Sequence, residues 1–168
     1  MKTVKALESI TDRGKFELLV NSILRKLKKE YSALISTGVN ALGETIRSPI
    51  DGFCEVPDSE PKRFIMVEHT TIDRKKLEEK WLFENQLTND KKKAKKSDGD
   101  LIKAGKKAKE LRQKFPGAEF VVILTTNQRV SNELIEKVYK KAHDLNVRVE
   151  IIEQSIIADF LDTTDEGH

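Results

Sequence analysis

An apolar run that ends in a carboxylate is where this sequence could do chemistry. Residues 63–71 read RFIMVEHTT, four apolar positions followed by Glu68, His69 and Thr70. Apolar residues on both faces mark a strand buried on both sides, so its far end is expected to emerge into a polar pocket. Side chains two apart share a face; Glu68 and Thr70 point one way and His69 the other. A carboxylate in that setting needs a partner or a metal. Seventeen residues earlier stands Asp51, within Pro49-Ile50-Asp51-Gly52. Hairpin pairing of the two strands brings both carboxylates together, where they repel unless a cation lies between them. Hard oxygen ligands on an open site suit Mg²⁺, with Mn²⁺ as a substitute, and such an ion keeps several waters and binds phosphate oxygens. This is the equipment for metal-assisted phosphodiester hydrolysis. Taken alone, Pro-x-Asp-Gly also reads as a turn at a strand start.

The surrounding pattern supplies elements to hold these residues. A helix is expected from about Asp12 to Glu30, with Phe16, Leu19, Val20, Ile23, Leu24 and Leu27 on one stripe and Thr11 or Asp12 as cap. Tyr31 to Ile35 reads as extended, and residues 37–49 as a turn-rich connection. Strands follow at 49–56 and 63–71, joined by the turn PDSEPK. Residues 72–87 read as helical, and a helix at about Gly99 to Phe115 begins with Ser97 and Asp100 spaced as a capping box. EFVVILTT at 119–126 is the most hydrophobic strand. A helix over Ser131–Leu145, a strand at 147–152 and a short helix over 155–162 complete the chain. Closely spaced strands in the first half predict antiparallel pairing. Strand–helix–strand spacing in the second half predicts parallel crossovers. The fold class is α/β, with a mixed sheet flanked by helices.

An opening helix with a glutamate, Pro-x-Asp-Gly on one strand, Val-Glu-x-Thr on the next, then helix, strand, helix, strand, resembles the restriction-endonuclease-like PD-(D/E)xK superfamily. More narrowly it resembles Mrr-like nuclease domains at the N-terminus of bacterial antiphage STAND NTPases, over about residues 12–162. The resemblance implies a metal held by Asp51, Glu68 and the backbone carbonyl of His69, with Glu17 of the first helix in support. It also implies an effector controlled by oligomerisation through regions outside this chain. The motif lysine is expected at position 70, where this chain has Thr70. In the family that lysine orients the attacking water and offsets charge on phosphorus. Thr70 brings a hydrogen bond without charge. Lys80 and Lys103, on the two helices that follow, are the candidates for a lysine borrowed from elsewhere, within reach of a four-carbon stem.

Composition bears on the partner. Of 168 residues 31 are Lys or Arg and 28 Asp or Glu, a net charge of only +3. The average hides a contrast: residues 74–114 carry 15 bases against 7 acids, and residues 149–168 carry six acids without a Lys or Arg. The basic stretch includes a Lys-rich loop at about 89–98, whose Lys91, Lys92, Lys93, Lys95 and Lys96 could hold a double-stranded DNA backbone or form a solvated loop. Trp81 and Phe83 flank a basic helix and read as core anchors before base-stacking groups. The lone Cys54 reads as a buried hydrophobe in a reducing interior. No run approaches the ~18 apolar residues of a membrane span, so the expectation is a soluble, cytoplasmic single domain. Neither GxGxxG nor GxxxxGK[ST] occurs, which disfavours a nucleotide-binding loop. The reading is a Mg²⁺-dependent DNA endonuclease serving antiphage defence. The alternative, prompted by Thr70, is a catalytically inactive nuclease-fold module for DNA or partner binding.

Overall fold

The computed structural model describes residues 2–9, 12–27, 35–36, 50–85 and 97–163. Helices α1 (Lys2–Glu8) and α2 (Arg13–Leu27) come first, followed by strands β1 (Ile35–Ser36), β2 (Gly52–Glu55) and β3 (Arg63–Thr70). A 3-10 turn (Arg74–Lys76) leads into α3 (Leu77–Leu82), and α4 (Asp100–Lys114) precedes β4 (Glu119–Thr126). Helix α5 (Asn132–Asp144), β5 (Arg148–Ile152) and α6 (Gln154–Thr163) end the fold. One sheet runs in the order β1-β2-β3-β4-β5. Its first two pairings are antiparallel and its last two parallel, as the strand spacing requires.

The sheet separates two apolar layers. Phe64 and Met66 of β3 face Leu77 and Trp81 of α3, Leu101, Ala104 and Ala108 of α4, and Val138 of α5. Ile65 and Val67 face the other way, against Phe16, Val20 and Leu24 of α2, Ile157 of α6 and Leu7 of α1. Strands β3 and β4 are buried on both faces, because the two crossovers put their helices on one side and the terminal helices cover the other. Asp12 caps α2: its Oδ1 accepts the Lys15 N–H at 3.2 Å and its carbonyl accepts the Phe16 N–H at 3.1 Å. Cys54 is a free buried thiol in the terminal-helix layer, and Trp81 is fully buried in the crossover layer. No helix among the described residues is long and apolar enough to cross a membrane.

Four local expectations are corrected. The core begins before residue 12, because α1 packs on α6 and buries Leu7 to 2% exposure. With a single deeply buried apolar residue, α1 is too short to declare itself by periodicity. The helix expected over 72–87 is a 3-10 turn followed by six residues of α3, ended where Phe83 turns extended at ψ 129°. The Ser97–Asp100 capping box does not form: Gly99 is the N-cap and Asp100 the first helical residue. Strand β2 is also shorter than expected, and leaves Asp51 just before its first residue.

If α1 belongs to the core, Leu7→Ala removes a fully packed side chain and lowers unfolding free energy by about 2–5 kcal/mol. Urea denaturation of the two chains measures this, and an unchanged midpoint would mean that α1 contributes nothing to the layer.

Candidate active site

The β2–β3 register pairs Gly52 with Val67, which sets Asp51 across from Glu68. Each carboxylate is then held by the other strand's main chain. The Asp51 N–H is shared between the Val67 carbonyl at 3.0 Å and Glu68 Oε1 at 3.2 Å. In return the His69 N–H donates to Asp51 Oδ2 at 2.8 Å. A strand residue's carbonyl projects to the same side as its own N–H, so the His69 carbonyl is turned toward the Asp51 edge. Both acids are buried, Asp51 to 7% and Glu68 to 2% exposure. Thr70 follows on the Glu68 face, also buried, where its Oγ1 accepts the Ile72 N–H at 3.1 Å and shapes the strand's exit.

A third carboxylate joins them from α4. Gly99 lies so close to α3 that a Cβ there would stand 2.5 Å from the Trp81 carbonyl carbon and 2.7 Å from the Leu82 nitrogen. Its N–H donates to the Phe83 carbonyl at 2.6 Å, and the Asn85 N–H donates to Asp98 Oδ1 at 2.7 Å. Only glycine fits this approach, which docks the start of α4 on the end of α3. Asp100 is thereby buried to 3% exposure. Its Oδ1 lies 3.4 Å from Lys80 Nζ, its carboxyl and that of Glu68 are close enough to act on each other, and its Oδ2 is buried without a hydrogen-bond partner. Burial, and then the negative charges of Asp100 and Asp51, push the Glu68 carboxyl from its ordinary 4.5 up to about 10. Burial also raises Asp100, opposed by Lys80, the Glu68 hydrogen bond and Lys103. Both carboxyls are thus biased toward their protonated forms.

Of the residues expected from sequence, the structure brings together Asp51, Glu68, the His69 main chain and Thr70, while Lys80 reaches Asp100. Lys103 lines a cleft of ≈ 330 Å³ together with Lys76, Glu79, Lys80, Asp98 and Gly99, and none of the three buried carboxylates lines it. Glu17 is half-buried on α2, the helix that packs on the His69 side of the sheet. The His69 ring is committed there, with Nδ1 2.7 Å from Thr125 Oγ1, Nε2 3.0 Å from Asn21 Oδ1, and Phe16 against its edge. Lys91, Lys92, Lys93, Lys95 and Lys96 lie outside the described residues. Among the described residues no set of three or more His, Cys, Asp or Glu side chains is arranged to hold a metal ion. A cation at this site would take two carboxylates and a main-chain carbonyl.

Asp100 is the residue that reading for motifs missed. A signal was present, since Asp100 stands in line with Ala104, Ala108 and Leu111, all buried along one stripe of α4. An acid on a buried stripe requires an explanation, and the capping-box reading supplied the wrong one.

The raised Glu68 value has a consequence for stability. The group's contribution is full below its unfolded value near 4.5, falls as pH rises, and is lost by about 10. Chelator-treated wild type should lose melting temperature between pH 5 and pH 9 relative to Glu68→Gln, whose amide does not ionise. Parallel pH profiles for the two chains would show that Glu68 is not perturbed.

Comparison with protein-family models, with curated proteins and with solved structures finds no match to this chain.

Proposed function

We propose that this chain is a metal-dependent DNA endonuclease domain of the restriction-endonuclease-like kind, acting as the effector of a bacterial antiphage defence protein. The observation that carries the reading is the Asp51–Glu68 pair, clamped by reciprocal main-chain hydrogen bonds at the end of a doubly buried strand in a mixed sheet. The order of elements and the motif residues resemble that superfamily; the place in defence comes from that resemblance alone.

The residues fit a divalent cation. With Glu68 deprotonated, Lys80 offsets one of three buried negative charges, and a dication offsets the other two. The unpartnered Asp100 Oδ2 and the upward push on the Glu68 carboxyl mark the same deficit of positive charge. Asp51, Glu68 and the His69 carbonyl would hold Mg²⁺ or Mn²⁺, which when bound supplies Lewis acidity and water of lowered pKa. The chain's own groups do the rest. Lys80 offsets charge developing on the phosphate, the role that Thr70 cannot fill. The Thr70 hydroxyl keeps one proton to donate while its oxygen accepts from Ile72. Lys76 and Lys103, beside the cleft, suit contacts to neighbouring phosphates of double-stranded DNA.

Incubation with plasmid and Mg²⁺ or Mn²⁺ tests this. Wild type should cleave; Asp51→Ala and Glu68→Ala should not, and Mn²⁺ should raise the melting temperature of wild type alone. Cleavage that survives both substitutions would remove the site. DNA binding without cleavage under either cation would make the chain a non-enzymatic nuclease-fold module.

The two lysines separate by kinetics. Lys80→Ala should lower the single-turnover rate by about 10²-fold or more. Lys103→Ala should mainly reduce the salt dependence of binding, by about one in slope. Normal cleavage by Lys80→Ala would sink the borrowed-lysine assignment.

A further inference from the structure

Stability does not explain Asp100. An acid in the first turn of a helix is favoured by the helix dipole when it is exposed, yet Asp100 is 3% exposed and one of its oxygens has no hydrogen-bond partner. A carboxylate buried in that way destabilises a fold unless its partners repay the desolvation. Its surroundings are nevertheless built to bury it. Gly99 admits no side chain against α3, and main-chain bonds at Phe83 and Asn85 fix where α4 begins. On the other side of Asp100, Leu77 and Trp81 anchor α3 with both side chains fully buried. Lys80, next to Trp81, keeps 29% of its side chain exposed and sets its ammonium 3.4 Å from Asp100 Oδ1. Without that contact a lysine stem samples many rotamers.

We propose that Asp100 is a positioning residue, holding the Lys80 ammonium at the α4 side of the carboxylate cluster so that α3 supplies the charge β3 lacks at Thr70. The role deepens the nuclease reading and rests on it for its purpose, though the Asp100–Lys80 coupling exists independently of any reaction. Reacting groups displaced by about 1 Å can lose about 10²-fold in rate. A tether of this kind is the device that a lysine borrowed from a separate helix needs.

The test uses the full chain with Asp100→Asn, Lys80→Met and the double variant. Asp100→Asn keeps the shape and removes the charge. It should slow single-turnover plasmid cleavage with Mn²⁺ by about 10²-fold, with the double variant no slower than the slower single. A second readout needs no activity. In metal-free protein, acylation of Lys80 relative to exposed Lys75, read by peptide mass mapping, should rise several-fold in Asp100→Asn. A third needs only melting curves: Lys80→Met should lower the melting temperature, and adding Asp100→Asn should restore it. Unchanged Lys80 acylation in folded Asp100→Asn, or strictly additive effects in the melting cycle, overturns the proposal. If wild type cleaves no DNA, the nuclease reading fails, and the acylation and melting results still decide whether Asp100 holds Lys80. If Asp100→Asn does not fold, the melting behaviour of Lys80→Met against the double variant decides it.

Discussion

Two main-chain N–H groups hold like charges together at the end of β3. Asp51 donates its N–H to Glu68, and His69 donates its own to Asp51. Neither bond would form if the β2–β3 register slipped by one residue, because a slip turns alternate side chains to the opposite face. The register is in turn fixed by the two apolar layers, since Phe53 and Met66 must face one and Cys54 and Ile65 the other. The site is therefore the polar end of a pairing that the core determines. This is why two acids can be kept close in a place that would otherwise drive them apart.

The electrostatics of the pocket are unbalanced by design of the fold around it. Burial strengthens each interaction and raises the penalty for every charge left unmatched. Lys80 answers one oxygen of Asp100, the other is left without a partner, and burial with its acidic neighbours pushes the Glu68 carboxyl up. The basic character of residues 74–114 then has a structural sense: α4, which carries six of the 15 bases, lies over the same sheet face as the acids.

Much of this was legible in the letters, for identifiable reasons. Strands 63–70 and 119–126 announced themselves because double burial forces continuous apolar runs, and Glu68 stood out because it interrupts one. His69 could be assigned to the opposite face from the two-residue period alone, and its bonds to Thr125 and Asn21 agree. Lys80 was nameable as a candidate, but its preference over Lys103 depends on where α3 ends, which turns on the backbone at Phe83. Asp100 was not legible as a site residue, since its burial arises from the Gly99 approach to Trp81, a contact between two helices. The helical stripe that carries Glu17 was legible too, but a stripe does not reveal which face of the sheet its helix will cover.

The Gly99 N–H bonded to the Phe83 carbonyl, and the Asn85 N–H bonded to the Asp98 carboxylate, tie residues 83–85 to residues 98–99. The meeting of Lys80 with Asp100 thus follows from a seam between the end of α3 and the start of α4, two places separated in sequence. For protein engineering, a side chain introduced at Gly99 would pry that seam apart and shift a charge pair that it never touches.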